Sequence, residues 1–306
     1  MAVGVLAVDC AAVRDAALAA LVARSVATAA APDMALYRPS ISVWGAPPGS
    51  HSFLFCIRAR SQATPEIPDL SKVGQLSGSL RSEIQKVVYG QSDTVNQIIA
   101  ALLAGGHVLL EGKPGLGKTH MVLALASTFG GEFGRLQFTP DMMPSDITGF
   151  TLFDMKSQSF QTRRGPVFTN LLLADEINRA PAKTQAALLE VMQEQQVTID
   201  GESLPVAPPF MCFATQNPIE QEGTYPLPEA QLDRFLMKII SHYPPQDEEL
   251  QVVSAVTSAP GAKGLDPRGV EQVCDSGTIL EAQSLTALVK VVPEVIDYAL
   301  RLTRLT

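Results

Sequence analysis

The chain has 306 residues, of which 46% are hydrophobic and 18% charged, and this composition is typical of a folded globular protein rather than a disordered one. Its formal net charge of −8 argues against duplex nucleic acid as a partner, because such binding depends on neutralising phosphates with Lys and Arg. No apolar run reaches the roughly 18 residues that a membrane span needs, and four widely spaced cysteines without metal-ligand spacing favour a reducing cytoplasm over a disulfide framework.

Residues 1–70 are not assigned to any domain. Residues 1–31 are rich in alanine and are compatible with a weak targeting segment, an amphipathic helix or a poorly structured leader. Prolines recur through residues 32–70, which is typical of a linker. An organised domain is expected to begin after residue 70, since apolar residues first recur at helical spacing from Leu76.

Residues 71–243 alternate between helical and strand patterns. Helical spacing continues from Leu76 to Val88 and returns over residues 94–103. A short apolar strand, a glycine loop and a helix over residues 118–129 then form the opening of a βα unit. This alternation predicts an α/β domain with a parallel sheet that is covered on both faces. The predicted strands span residues 107–111, 135–139, 170–175, 210–215 and 236–241.

Two segments interrupt this alternation and are predicted to be β-hairpins. In the first, residues 151–155 and 160–163 flank a short polar stretch. In the second, residues 196–199 and 203–206 flank an Asp200-Gly201 turn signal. Both hairpins are expected to project from the sheet.

Residues 244–306 are predicted to form a second, helical domain. Helical patterns span residues 247–256, 280–291 and 294–305, and a loop containing Pro and Gly covers residues 259–269. The last pattern runs up to Thr306 without a C-cap glycine or a polar tail. We therefore expect this helical domain to be incomplete.

A glycine-rich motif lies between the predicted strand at 107–111 and the helix at 118–129. It fits G-x-x-x-x-G-K-[ST], in which glycines let backbone N–H groups wrap phosphates at a helix N-terminus. In this motif Lys118 is expected to reach the β- and γ-phosphates of a nucleotide and Thr119 to hold Mg²⁺. A plain glycine turn would not require this position between a strand and a helix. The motif residues are Gly112, Lys113, Pro114, Gly115, Leu116, Gly117, Lys118 and Thr119.

Two adjacent acidic residues, Asp175 and Glu176, follow the apolar run at 171–174. They are expected at the carboxyl end of a parallel strand, where open α/β sheets bind ligands. Asp175 suits the Mg²⁺ shell, and Glu176 suits a general base that activates the attacking water. A solvated strand end is the alternative, and the preceding glycine motif argues against it.

Asn217 and Arg234 are further candidate catalytic residues. Asn217 follows the predicted strand at 210–215, where its amide would orient the water or the γ-phosphate, although an Asn-Pro pair also opens ordinary turns. Arg234 would stabilise transition-state charge as an arginine finger. A local ion pair with Asp233 or a neighbouring carboxylate is the alternative for Arg234, and the sequence leaves both open.

The order of these motifs resembles that of the MoxR family of AAA+ ATPases. The resemblance covers residues 76–306 and rests on the segments DMMPSDITG (141–149), ADEINRAP (174–181), ATQNP (214–218) and EGTYPLPEAQLDRF (222–235). It implies a P-loop AAA+ core with a five-stranded parallel sheet and a C-terminal helical lid. It also implies ATP bound at subunit interfaces, hexameric rings, and chaperone-like work on partner proteins, often ones with von Willebrand factor A domains.

The resemblance also implies roles for individual residues. Lys118 and Thr119 match the Walker A motif, and Asp175 and Glu176 match the Walker B motif. Asn217 matches sensor 1, and Arg234 matches the arginine finger. Residues 151–163 resemble the helix-2 insert, and residues 196–206 resemble the pre-sensor-1 hairpin. The stretch that lies against adenine in this superfamily is matched by Val88, Tyr89 and Gly90.

The chain departs from the family pattern in its lid. The family carries a further arginine, sensor 2, in a segment expected beyond Thr306. The given sequence therefore does not decide whether the lid closes over the nucleotide. Arg179 is either a second interface cation or a charge at a helix start. An apolar helix end followed by a capping glycine would explain residues 88–90 nearly as well.

The expected function is Mg²⁺-dependent ATP hydrolysis that drives remodelling of partner proteins. One alternative is a motor or chelatase subunit of the same clade that acts on nucleic acid or in metal insertion, and the acidic balance weighs against nucleic acid. The other is a nucleotide-gated binding module with little turnover. The set of Glu176, Asn217 and Arg234 weighs against this second alternative, whereas the lack of sensor 2 in the given sequence favours it.

Overall fold

The computed structural model of the protein describes residues 70–112, 115–217, 225–241, 246–258, 269–289, 291 and 293–305. Except for Leu70, the unassigned N-terminal segment of residues 1–70 lies outside the described residues. The same holds for Lys113 and Pro114 of the glycine motif.

A five-stranded sheet forms the centre of the fold. Its strand order is β2-β5-β8-β1-β9, and every neighbouring pair is parallel. The predicted parallel sheet is therefore confirmed, with strand ends that differ from the prediction by at most two residues. In chain order the strands are β1 (Val108–Gly112), β2 (Phe133–Gln137), β3 (Gly149–Asp154), β4 (Ser159–Arg164), β5 (Leu171–Asp175), β6 (Gln196–Ile199), β7 (Glu202–Pro205), β8 (Met211–Gln216) and β9 (Met237–Ser241).

Helices connect and cover these strands. A short 3₁₀ helix at Ile177–Arg179 follows β5 directly. In the described part of the chain, no helix is long and apolar enough to cross a membrane. In chain order the helices are α1 (Ser71–Gln85), α2 (Ser92–Leu103), α3 (Lys118–Phe129), α4 (Pro144–Thr148), α5 (Ala182–Glu194), α6 (Glu229–Leu232), α7 (Gln246–Ser258), α8 (Ser276–Thr286) and α9 (Pro293–Leu305).

The sheet separates two hydrophobic clusters. Successive residues of a strand point to opposite faces, so Leu171 and Leu173 of β5 join the cluster that contains residues of α1, α2, α3 and α8. Leu172 and Ala174 join the second cluster, which contains residues of α4, α5 and β6. Burial on both faces explains why the central strands are continuously apolar rather than alternating.

Both predicted hairpins are present as separate two-stranded antiparallel sheets. β3 pairs with β4, and β6 pairs with β7. The two differ in burial, since β4 is exposed along its whole length whereas Val197 and Ile199 of β6 pack into the second cluster. The first hairpin therefore projects into solvent, and the second is anchored on the core through one of its strands.

Helix α8 begins and ends earlier than the predicted helix at 280–291. The Asp275 side chain accepts a hydrogen bond from the Thr278 backbone N–H at 2.7 Å and so caps a helix that starts at Ser276. The prediction followed the first apolar residues and missed this polar cap. Ile279 and Ala282 of α8 pack into the first cluster, in which α1 and α2 also lie. The division into a core over 71–243 and a partial lid over 244–306 stays a prediction.

Candidate nucleotide-binding site

The carboxyl ends of β1, β5 and β8 meet beside the N-terminus of α3, and a cavity of about 290 Å³ opens there. It brings together most of the candidate site residues from three distant parts of the chain. Its lining consists of Gly112, Gly115, Leu116, Gly117, Lys118, Thr119, Arg135, Gln137, Asp175, Glu176, Thr215, Gln216 and Asn217.

The glycine loop is shaped by backbone conformation. Gly115 and Gly117 have φ values of 87° and 74°, which side-chain-bearing residues rarely adopt. A Cβ at either position would meet no atom within 4 Å, so the conformation and not the space requires glycine. Gly117 also caps α3, whose first backbone N–H groups have no partner within the helix. The loop therefore fits an anion such as a phosphate.

Lys118 is the first residue of α3 and is partly buried in the cavity. Its Nζ donates a hydrogen bond to the Gly112 carbonyl oxygen at 2.7 Å. Burial lowers the pKa of the Lys118 ammonium group, and nearby carboxylates, first that of Asp175, act in the opposite direction. From a neighbouring segment, Gln91 Nε2 donates to the Leu116 carbonyl oxygen at 2.7 Å and fixes the loop.

Asp175 ends β5, and both of its carboxylate oxygens accept hydrogen bonds. Thr215 of β8 donates its hydroxyl to Oδ1 at 3.0 Å. Arg135 of β2 approaches Oδ2 with Nε at 2.9 Å and Nη2 at 2.8 Å. Neighbours on both sides of β5 therefore hold this carboxylate at the cavity edge.

Glu176 has a left-handed backbone conformation, with φ 56° and ψ 49°. Its backbone N–H donates to the Thr215 hydroxyl oxygen at 2.9 Å, so one hydroxyl group contacts both acidic residues. Its Oε2 accepts a hydrogen bond from Gln137 Nε2 at 2.8 Å and lies 3.2 Å from Arg179 Nε. Arg179 is therefore an ion-pair partner of Glu176. This contact was part of neither interpretation of Arg179 from the sequence, as an interface cation or as a charge at a helix start.

The other candidate residues divide into those in the cavity and those outside it. Asn217 lies directly after β8 and lines the cavity, as the motif predicts. Arg234 is exposed and does not line the cavity of its own chain. Its Nη1 donates to the Ala230 carbonyl oxygen at 3.1 Å, and among the described residues no ion pair with Asp233, one form of the alternative to the finger role, accompanies this contact.

The segment proposed to lie against adenine is beside the cavity lining rather than in it. Val88 is only 8% exposed and belongs to the first hydrophobic cluster. The Tyr89 hydroxyl donates to the Lys86 carbonyl oxygen at 3.2 Å, and Gly90 has a φ of 70°. His120 of α3 contacts the Val87 carbonyl oxygen at 3.1 Å and so connects this segment to α3. An adenine-binding role for Val88, Tyr89 and Gly90 stays a prediction.

Sequence reasoning missed Arg135, Gln137 and Thr215 as site residues. Arg135 and Gln137 lie two positions apart on β2 and so share a face, while Leu136 between them is buried. Two polar residues on one face of a predicted strand are a signal that could have marked them as site residues. The sequence did not show that they contact Asp175 and Glu176, because the pairing of β2 with β5 brings together residues about 40 positions apart.

Comparison with known proteins shows that the chain is similar to members of an ATPase family. The sequence pattern of the "ATPase family associated with various cellular activities (AAA)" matches residues 107–237. The chain is 52% identical to YeaC of Bacillus subtilis over 192 residues, which cover 63% of the chain and 60% of that protein. It is 47% identical to the chaperone MoxR1 of Mycobacterium tuberculosis over 219 residues, which cover 72% of the chain and 56% of that protein.

A solved structure of another ATPase-like protein is also similar to this chain. The crystal structure of a candidate ATPase from Cytophaga hutchinsonii superposes with a TM-score of 0.61 at 44% identity, over 70% of this chain and 66% of that one. The chain thus spans less than two thirds of the length of these proteins. Together with the glycine loop and the paired acidic residues, these matches show that the chain belongs to the MoxR family of AAA+ ATPases.

Proposed function

We propose that this protein hydrolyses ATP in a Mg²⁺-dependent reaction. The observation that carries the proposal is the single cavity in which the glycine loop, Lys118, Asp175 and Glu176 meet. A helix N-terminus with a cation supplies an anion site, and the two carboxylates beside it supply a metal ligand and a base. Hydrolysis of a phosphoanhydride needs these groups within one pocket.

The loop backbone and Lys118 would bind the phosphates of ATP. For this, Lys118 Nζ would exchange its hydrogen bond to the Gly112 carbonyl for charge-assisted contacts with phosphate oxygens. The Thr119 hydroxyl and the Asp175 carboxylate would hold Mg²⁺, since both are oxygen ligands that line the cavity. When bound, Mg²⁺ would neutralise charge on the β- and γ-phosphates.

Glu176 would act as the general base. Its carboxylate would accept a proton from a water molecule as the water oxygen bonds to the γ-phosphorus, and the bond between that phosphorus and the bridging oxygen would break to release ADP and phosphate. Gln137 and Arg179 both contact Oε2 and orient the base at the cavity edge. The Asn217 amide, at the end of β8, would position the water or the γ-phosphate.

Steady-state phosphate release tests this proposal directly. The protein should release phosphate from ATP with Mg²⁺ and should stop when EDTA removes it. The matched control is Glu176→Gln, which keeps the shape of the side chain but cannot accept the proton, so its rate should fall by about 100-fold or more. Equal rates in the two proteins would remove Glu176 as the base. No release from either protein would favour the binding-module alternative.

We further propose that the protein works as a ring of identical subunits, most simply a hexamer. Arg234 is exposed and outside the cavity of its own chain, which suits a residue that completes the site of a neighbouring subunit. Arginine fingers supplied in this way stabilise charge that develops on the transferred phosphate. Val88, Tyr89 and Gly90 would contact the adenine ring after a local adjustment.

The proposed outcome of hydrolysis is chaperone-like remodelling of partner proteins, including proteins with von Willebrand factor A domains. One relative carries the name chaperone. The β3–β4 hairpin exposes apolar side chains, among them Phe153, Met155 and Phe160, and these would contact a protein partner. A cytoplasmic location fits the widely spaced cysteines.

Binding of a labelled von Willebrand factor A domain protein tests the partner proposal. Glu176→Gln in the presence of ATP should retain this partner more tightly than Lys118→Ala, because only the first variant holds nucleotide. A double variant, Phe153→Ser with Phe160→Ser, should weaken binding without reducing basal phosphate release. Binding that ignores both nucleotide and the hairpin would contradict the proposal.

A further inference from the structure

Arg135 makes a contact with Asp175 that the proposed reaction does not use. It lies on β2, the strand that pairs in parallel with β5 so that Gln137 is opposite Asp175. Nε and Nη2 of its guanidinium group both lie within 2.9 Å of the same oxygen, Asp175 Oδ2. Since Thr215 donates to Oδ1, protein donors contact both oxygens of the carboxylate that would hold Mg²⁺.

The two donors differ in how easily they can move. Thr215 is 3% exposed on a central strand, so its hydroxyl is fixed by the core. The Arg135 side chain is 52% exposed, against 13% for Asp175, and its flexible stem lets the guanidinium group swing into solvent. Arg135 also keeps its charge at every physiological pH. It is therefore a mobile, permanent cation on a fixed carboxylate.

We propose that Arg135 is the counter-ion that a divalent cation must displace from Asp175, and that it thereby sets how strongly Mg²⁺ and ATP binding depend on each other. The proposal rests on the proposed function. With Mg²⁺ absent, Arg135 screens the Asp175 charge from the triphosphate and so supports ATP binding. With Mg²⁺ present, Arg135 competes for Oδ2 and so opposes metal binding.

Removing the charge should therefore sharpen the effect of Mg²⁺. In Arg135→Gln, Asp175 would repel metal-free ATP more strongly, whereas the metal would bind Oδ2 without competition. The ratio of the dissociation constant in EDTA to that in saturating Mg²⁺ should rise by about tenfold or more, which is the scale of one partly screened charge contact. Arg135→Lys keeps the charge and should stay close to the wild-type ratio.

The experiment measures binding of a fluorescent, non-hydrolysable ATP analogue in EDTA and in Mg²⁺. It compares the wild type with Arg135→Gln, Arg135→Lys and the matched control Arg163→Gln, which removes the same charge from the exposed strand β4. The expected result is a raised ratio in Arg135→Gln alone.

Two outcomes would overturn the proposal while leaving the nucleotide site intact. Equal weakening of binding in both conditions would make Arg135 a phosphate ligand or a structural residue. An unchanged ratio in Arg135→Gln would show that Arg135 does not compete with the metal. By contrast, a wild-type protein that does not bind the analogue, or Lys118→Ala that binds it undiminished, would remove the proposed function itself.

Discussion

One hydroxyl group, that of Thr215, connects the two acidic residues of the site. It accepts a hydrogen bond from the Glu176 backbone N–H and donates one to Asp175 Oδ1. The first bond supports the left-handed conformation of Glu176, which side-chain-bearing residues adopt at a cost of about 1–2 kcal/mol. Thr215 is therefore a positioning residue for both the metal ligand and the base.

Thr215→Val should test this connection, because valine has the shape of threonine without the hydroxyl. We expect the free energy of unfolding to fall by about 1–3 kcal/mol, since a partly buried N–H loses its partner, and phosphate release to fall with it. Thr215→Ser keeps the hydroxyl and is the control. Denaturant unfolding and phosphate release check both expectations, and a valine variant that matches the serine variant in both would contradict them.

His107 is a buried titratable residue that directly precedes β1. Its Nδ1 accepts a hydrogen bond from the Cys212 backbone N–H, so Nε2 carries the proton and donates to the Met192 carbonyl oxygen. Burial lowers the pKa of the His107 imidazole. The fold therefore stabilises the neutral ring.

This lowered pKa predicts how stability depends on pH. The unfolded chain takes up the His107 proton near pH 6.5, whereas the folded chain does so only at lower pH. The stabilisation is therefore complete above about pH 6.5 and is lost as the pH falls toward the folded pKa. Between pH 7 and 5 the free energy of unfolding should fall more steeply in the wild type than in His107→Gln. Parallel pH curves from denaturant titrations would show that His107 does not contribute.

At the scale of single residues, the sequence predicts the parts of the site that are local in the chain. The spacing of Gly115, Gly117 and Lys118 is fixed by one loop and one helix start, so the motif predicts it. Arg135 and Gln137 escape prediction because their contacts depend on which strand lies beside β5. The contact of Arg179 was not predicted, because the conformation of one helical turn decides whether its side chain reaches Glu176 or solvent.

At the scale of elements, burial decides what is predictable. The central strands are apolar on both faces, so their composition separates them from the connecting helices. Element ends are less certain, as α8 shows, because a polar cap at Asp275 begins the helix before its first apolar residue. Strand order in the sheet cannot be predicted from the pattern of one sequence, because strand pairing depends on long-range packing. The expected five-stranded fold came from the family resemblance instead.

The β3–β4 hairpin depends on a glycine at its start. Gly149 has a φ of 95°, and a Cβ there would lie 2.1 Å from the Arg163 carbonyl oxygen. Gly149→Ala should lower the free energy of unfolding by at least about 2 kcal/mol, because the backbone itself would have to move. Thermal and denaturant unfolding measure this effect.

The control for that substitution is Gly78→Ala in the exposed part of α1. A Cβ at Gly78 would meet no atom within 4 Å, and alanine favours the helix. Gly78→Ala should therefore raise the free energy of unfolding by about 0.5–1 kcal/mol. The same chemical change should thus have opposite signs at the two positions. A destabilisation of similar size at both would contradict the structure of the hairpin start.

At the scale of the whole molecule, the proposed ring depends on Arg234 acting on a neighbour. Arg234→Ala and Glu176→Gln should each be nearly inactive alone, since an arginine finger contributes roughly 10³-fold or more. When the two are mixed, an Arg234→Ala subunit keeps its own Glu176 and receives Arg234 from a Glu176→Gln neighbour. Phosphate release should therefore reappear on mixing, peak at an intermediate ratio and vanish on dilution.

The control for mixing is a co-assembly measurement on the same samples, in which an affinity tag on one variant should retain the untagged other variant. A mixing curve that stays near zero although the two variants assemble together would return Arg234 to a local structural role, consistent with its hydrogen bond to the Ala230 carbonyl. Rings of any subunit number would satisfy the test, because each interface needs only one residue from each side.

In the proposed mechanism the cavity beside α3 binds ATP through the glycine loop and Lys118. Calorimetric titration of ATP into Lys118→Ala tests this claim, with thermal unfolding as the check that the variant folds. The affinity should fall by about 100-fold or more, because the phosphates lose a charge-assisted partner in a partly buried site. An affinity for ATP equal to that of the wild type would contradict the claim.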